Sequence, residues 1–550
     1  MDNIRLILFM ALAFLGMLLY QSWQADYGTA RQSTADSAVP QQTVPSATPD
    51  VPQQADIDRA ALSVPGVAAA TAGTDSNARL IEVRTDMFDA VIDTRGGTIV
   101  DVRLMNYPVA VNQPDNKYRL LSQRPSDFFI AQSGLLGADK ARTPTHEAVF
   151  TTDAQKFEMQ DGADSLTVDL VWHSPDGLAV TKRYIFYRGT HAVDLQHLVS
   201  NNSPQQWSGR EYLQLQRGEP ASSGNAFMYT YTGGAVYSQE DKYQKYDFED
   251  LGAGKLDRDV TDGWIAMIQH YFLAAIVPPR GEQQHYYGKR LPDGHAVIGT
   301  YTPAKVVAPG ATASFDGKLF LGPKLQAELA EIAQGLDLTV DYGWLVFIAK
   351  PMYWVLEQIQ NIVHNWGWTI IIFTVLIKIA FFKLSETSYR SMANMRKMTP
   401  RIQALKDRYG DDKQRMQQAM MEMYKTEKIN PLGGCLPMLV QIPFFIALYW
   451  VLLESVELRQ ASWILWIDDL SIKDPYFVLP LIMGASMFVQ QKLNPPPPDP
   501  MQAKIMLALP VVFTVMFAFF PSGLVLYWVV NNILSIAQQA YITKVVMAEK

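Results

Sequence analysis

A lysine stands inside an apolar run. Trp366 to Leu384 reads WGWTIIIFTVLIKIAFFKL, long enough to cross a bilayer, since ~20 apolar residues rising 1.5 Å each span a ~30 Å hydrocarbon core. Lys378 lies within it, and Thr374 shares its face one turn earlier. A charge at mid-membrane costs roughly 2.5–3.5 kcal/mol on insertion scales, so it is normally paired or wet. Alternatively, Lys378 snorkels to the interface beside Lys383. This helix alone leaves both readings open. The other apolar runs carry polar groups that match. Gln441 sits between Pro437 and Pro443, while Tyr527, Asn531, Ser535 and Gln538 recur at i, i+4, i+8 and i+11. Each is cheap only when paired or hydrated. Convergence of several such helices implies a shared hydrated cavity. Interhelical hydrogen bonds explain Asn531 or Gln441 singly. They explain less well a lysine with no acid inside the runs, because Glu454 lies near the opposite end of its own helix.

Other chemistries lack their residues. Cys435 is the sole cysteine, so neither an intramolecular disulfide nor a zinc cage of thiolates is available. The eight histidines show no HExxH or comparable metal spacing. Gly252-Ala253-Gly254-Lys255 lacks the first glycine of a phosphate loop and the hydroxyl residue after the lysine, and reads as a turn. No nucleotide motif, nucleophile–base pair or paired acids stand out, so no ATPase, no cofactor, no metal and no covalent catalytic step are expected.

The elements that position these residues follow from pattern. Ile4 to Tyr20 is apolar except Arg5, and no small-residue cleavage pattern follows at Gln21 to Gln24. Residues 1–25 are therefore expected to form an uncleaved signal-anchor helix. Residues 26–78, rich in Ala, Pro, Gln, Ser, Thr and Asp, read as a flexible linker. From 79 to 339 the period becomes two, at Thr98–Leu104, Ser165–Trp172, Val180–Tyr187, Ala192–Val199 and Tyr212–Leu215. This pattern predicts one large antiparallel β-sandwich, closed by helical residues at Lys324–Leu336. Residues 340–365, with Trp344, Phe347, Tyr353 and Trp354 among Lys350, Glu357 and His364, suit an amphipathic helix in a membrane interface.

Transmembrane helix 2 occupies 366–384, and 435–543 supply helices 3–6 at Cys435–Leu453, Tyr476–Gln491, Ile505–Phe520 and Leu524–Ile542. Between them, 385–434 predict a helical hairpin: Ser385–Tyr409, a stop at Gly410, then Lys413–Lys428. The loop from Lys383 to Lys428 carries 11 Lys and Arg against 6 Asp and Glu, which places it in the cytoplasm. Six spans then leave both termini cytoplasmic, including the 544–550 tail, and the β domain across the membrane. Met392, Met395, Met416, Met420 and Met423 in the hairpin suit a surface that accepts varied apolar clients, though packing between the two helices accounts for them equally well.

Four stretches resemble a known family: Asn430 to Pro437 (NPLGGCLP), Gln441-Ile442-Pro443, Ser455 to Ala461 (SVELRQA) and Phe520 to Tyr527 (FPSGLVLY). They are similar to the YidC/Oxa/Alb membrane-protein insertases, and the whole layout resembles the YidC branch of double-membrane bacteria. The resemblance implies a multi-pass inner-membrane protein with a periplasmic β domain and a five-helix transmembrane core. It implies a groove open to cytoplasm and lipid, closed outside, and lined by a positive residue at the position of Lys378. Many relatives have arginine there; lysine keeps the charge and loses the planar fork. An aromatic pair in the last span corresponds to Tyr527-Trp528, where relatives often carry two tyrosines. Implied partners are nascent membrane proteins, the Sec translocon, ribosomes and membrane lipids, with no specific nucleic acid. The short stretch after Lys544 makes tail-driven ribosome docking weak.

Mechanistically, a wet groove would shorten the path of a client's polar tail across the hydrocarbon, with hydrophobic partitioning driving release into lipid. A solute transporter or channel is the main rival. It predicts repeat symmetry, and no convincing internal repeat is present.

Overall fold

The computed structural model describes residues 78–219, 230–410, 412–426, 436–494 and 500–548. The expected signal anchor, the linker up to residue 77, the NPLGG stretch and Cys435 lie outside the described residues. The rest forms two units, one that comprises the residues up to Val109 and Pro114–Thr339, and one that comprises Ala110–Gln113 and the residues from Val340 on.

The first unit is a β-sandwich, because alternating side chains give each strand one apolar face to bury. Its larger sheet has 11 strands and its smaller sheet 8. In the larger sheet, Trp207–Arg217 lies between Phe129–Gly137 and Ala296–Tyr301, antiparallel to both. In the smaller sheet, Ser165–His173, Leu178–Tyr187 and Ala192–Asn201 form successive antiparallel pairs, and Thr312–Pro323 closes against the last of these. Phe88, Ile92, Val102, Tyr184, Phe186, Leu195, Leu215 and Ile298 fill the space between the sheets. Each such side chain contributes roughly 1.5–3 kcal/mol by burial. The strands extend beyond the alternating cores seen in sequence, as in Thr98–Pro108. Helix α1 (Phe248–Gly252) is capped by Asp247 and leads into a turn with Gly254 at φ 67°. Lys324–Leu336 is only partly helical, as α2 (Gln326–Ile332) followed by a tight turn at Leu336–Thr339.

The second unit is helical: α3 (Val346–Val363), α4 (Trp366–Ala380), α5 (Phe382–Lys397), α6 (Thr399–Tyr409), α7 (Lys413–Thr426), α8 (Leu436–Glu454), α9 (Val478–Leu493), α10 (Pro500–Phe517) and α11 (Ser522–Ala548). Helix α11 packs against α4, α5 and α9, while α3 packs along α4 and α8. Among the described residues, no single helix is long and apolar enough to cross a membrane. The stretch expected to run unbroken from Trp366 to Leu384 stops at Ala380, and α4 and α5 meet at 67°. At the break the Phe381 N–H bonds the carbonyls of Ile377 and Ile379, and its ring packs edge-on at 5.0 Å from Phe444. The helix expected over Ser385–Tyr409 also divides, at Met398, where Pro400 suits the first turn of a new helix.

Candidate functional site

Two helices position the lysine. Helix α4 starts where the Asn365 side chain accepts a hydrogen bond from the Trp368 N–H at 3.1 Å. About 18 Å further along the axis, at 1.5 Å per residue, Lys378 Nζ donates to Ser535 Oγ on α11 at 2.7 Å. Ser535 Oγ in turn donates to the Asn531 carbonyl at 2.7 Å. Lys378 forms no ion pair with a carboxylate among the described residues. A half-buried ammonium held by one neutral hydroxyl keeps its attraction for anions. That is the chemistry this site offers.

The other residues singled out in sequence fall into three settings. Thr374 is fully buried and its hydroxyl donates to the Ile370 carbonyl at 2.6 Å, within its own helix. Tyr527 stacks on Phe445 at 6.0 Å, and Trp528 lies 4.5 Å from Phe445 and 5.6 Å from Phe517, in an aromatic cluster. The Trp528 Nε1 is buried without a hydrogen-bond partner. Gln441 and the Asn531 side chain are half-buried on α8 and α11. Met392 and Met395 are half-buried on α5, and Met416, Met420 and Met423 are half-buried on α7. Gln538 Nε2 donates to the Phe382 carbonyl at 3.4 Å, beside the α4–α5 break.

Sequence reasoning missed a second polar line on α11. Asn532 Nδ2 donates to Ser486 Oγ at 3.1 Å and Gln539 Nε2 to Asn494 Oδ1 at 2.9 Å, joining α11 to α9. Asn532, Ser535 and Gln539 follow i, i+3, i+7, so helical spacing could have found them.

The end of α4 away from Lys378 is packed and tied. Trp463 lies so close over Gly367 that a Cβ there would fall 2.1 Å from the indole. Trp368 meets Trp463 edge-on at 6.0 Å, and Asn365 Nδ2 donates to the Ser462 carbonyl at 3.2 Å. Ser522 Oγ donates to the Asp469 carbonyl at 2.9 Å, pinning the start of α11. The Asp474 carboxylate accepts from Trp466 Nε1 at 3.0 Å and from the Leu479 N–H at 2.7 Å, capping α9.

The β-sandwich holds a buried polar cluster of its own. Lys182 Nζ donates to the carbonyls of Gly96 and, at 2.9 Å, Ser133. His197 Nδ1 and Glu211 Oε1 are 2.6 Å apart, with both side chains fully buried. Burial pushes Lys182 down to about 7 and Glu211 up to about 8, and it holds His197 well below its ordinary value.

Comparison with known proteins identifies the chain. Residues 80–355 match the family model of the YidC periplasmic domain, and residues 358–550 match that of the 60Kd inner membrane protein. A protein of Methylococcus capsulatus named membrane protein insertase YidC is 52% identical over 99% of this chain and 98% of its own. Proteins of the same name from Thioalkalivibrio sulfidiphilus, at 51% over 99% and 98%, and Nitrosococcus oceani, at 48% over the full length of both, agree. The chain belongs to the YidC family of membrane protein insertases.

Proposed function

We propose that this chain moves nascent transmembrane segments from the cytoplasm into the inner membrane, along a hydrated groove that is open to lipid. The observation that carries the reading is the Lys378–Ser535 contact: a positive charge in the last turn of an apolar helix, balanced by a hydroxyl and by no acid among the described residues. A client's polar tail pays heavily to leave water, and a wet, positive groove lowers that cost for tails bearing Asp or Glu. The client's apolar segment then slides along α4 and α11 into lipid, driven by hydrophobic partitioning. Chain release needs no nucleotide and no covalent intermediate.

In this reading the membrane runs through α4 and α8–α11, with α5–α7 in the cytoplasm and the β domain in the periplasm. The exposed Phe347, Trp354 and Ile362 on α3, with Trp344 just before it, support an interfacial position for this helix. Thr374, Gln441, Tyr527, Trp528, Asn531 and Ser535 line or brace the groove around Lys378. Met392, Met395, Met416, Met420 and Met423 meet clients first. Nascent membrane proteins are the substrates, the Sec translocon and ribosomes are the partners, and lipids are the receiving solvent.

Purified full-length protein in liposomes tests this, with a short single-span client read out by protease protection and ion leak recorded in parallel. Wild type and Lys378→Arg should insert the client, and Lys378→Ala should insert about tenfold less, the effect of losing ~1.4 kcal/mol. Full insertion by Lys378→Ala would reduce Lys378 to a snorkelling boundary residue. Solute flux without insertion would make the chain a transporter.

A further inference from the structure

Glu457 sits where an apolar residue would be the simpler choice. It occupies the short turn Val456–Leu458 directly after α8, between two buried neighbours, Val456 and Leu458. Its Oε1 accepts a hydrogen bond from the Tyr353 hydroxyl of α3 at 2.7 Å. Its Oε2 is buried and makes no hydrogen bond. Burial, reinforced by the Glu357 carboxylate on the same face of α3, pushes the Glu457 carboxyl up against the opposing effect of the Tyr353 bond. A leucine or methionine would pack there without an orphaned oxygen. What the carboxyl adds is an acceptor for Tyr353.

The hydrogen bond joins elements far apart in sequence. Helix α3 carries Tyr353 mid-length, and its last turns are tied to α4 where Thr369 Oγ1 donates to Gln360 Oε1 at 2.9 Å. Its other face has little to hold it, since Phe347, Trp354 and Ile362 are exposed. Helix α3 therefore bridges the start of α4 and the end of α8, the ends remote from Lys378. Tyr353–Glu457 is a polar tie at the α8 side.

We propose that Tyr353 and Glu457 form a clasp that holds α3 across these ends, keeping the bundle shut there while clients use the Lys378 side. Glu457 thus keeps the bundle sealed rather than acting on the client, and the proposal rests on the insertase reading above. The clasp needs an acceptor rather than a charge, so Gln should serve.

Full-length Glu457→Ala, Glu457→Gln and Tyr353→Phe in liposomes test it. Three readouts are needed: hydrogen exchange of the α3 amides, potassium leak, and insertion by protease protection. Glu457→Ala and Tyr353→Phe should speed α3 exchange and raise leak several-fold, with insertion close to wild type. Glu457→Gln should match wild type in all three. Tyr353→Phe removes one oxygen atom and decides the matter if Glu457→Ala does not reconstitute. Wild-type exchange and leak in Tyr353→Phe would overturn the clasp, as would a Glu457→Gln that behaves like Glu457→Ala. Failure of wild type to insert any client would sink the insertase reading alone, because exchange and leak would still report on the clasp.

Discussion

Glu211 lies inside the β-sandwich with Lys182 and His197, and each of the three strains against its ordinary protonation. Folded Glu211 holds its proton to about 8, whereas unfolded it would release it near 4.5. The folded state therefore binds more protons than the unfolded state between those values, and this group costs stability progressively as pH rises through them. His197 acts oppositely, since its unfolded form takes up a proton near 6.5 that the buried ring refuses. Lys182 adds no slope below about 7, where both states are charged. Comparison of wild type with Glu211→Gln reads the carboxyl best below about pH 7, where Lys182 is charged in both states. The stability advantage of Glu211→Gln should grow with pH between 4.5 and about 7, by at most about 1.4 kcal/mol per unit. Denaturant-dependent hydrogen exchange in the strand Trp207–Arg217 measures it. An advantage that is flat with pH would mean that Glu211 is ionised in the fold.

At the scale of elements, close contact at glycine sets how the helices meet. Trp463 covers Gly367 so tightly that Gly367→Ala places a methyl 2.1 Å from the indole, and one of them must move. Overpacking of this kind costs about 1–3 kcal/mol. The expected outcome is a lower melting temperature for Gly367→Ala and recovery in Gly367→Ala/Trp463→Ala relative to Trp463→Ala alone. Equal penalties in both backgrounds would show that helix propensity, not the indole, is what the glycine serves. The same contact shows what sequence could not convey. WGW reads as an apolar helix start, and only the fold brings a tryptophan nearly a hundred residues away onto its glycine. Strands were far more legible, because Val180, Lys182, Tyr184 and Phe186 share one parity and one inner face. That parity also put Lys182 inside, a signal the apolar pattern masked. The break at Phe381 had no proline or glycine to announce it. Its Phe444 neighbour comes from another helix, and tertiary contact is invisible to local periodicity. Lys378 was found as a charge among apolar residues and Ser535 as part of a polar stripe, but their hydrogen bond is a property of how α4 and α11 pack.

For the whole molecule, the question is how a single positive site can serve clients of many sequences. A lysine is suited to this, since a compact ammonium on a flexible stem attracts an acid in many geometries, where a planar guanidinium favours a paired one. The Ser535 hydroxyl holds Lys378 without neutralising it, so the charge stays available to each new tail. If attraction to the tail drives entry, the benefit must scale with the client's acids rather than with its apolar segment. A client series with an identical span and zero, one or two aspartates in the translocated tail separates these contributions. A charge pair at 4 Å is worth up to about 4 kcal/mol in a partly wet setting, and solvent in the groove screens most of it. Each aspartate should therefore raise the initial insertion rate by wild type several-fold relative to the same series with Lys378→Ala, and Lys378→Glu should invert the order. A membrane potential, positive outside, would draw the same acids across at ~2.3 kcal/mol per charge per 100 mV, so the series must also be run in vesicles without a potential. If the ordering by aspartate vanishes there in wild type, the field and not Lys378 selects acidic tails, and the lysine's role narrows to keeping the groove wet.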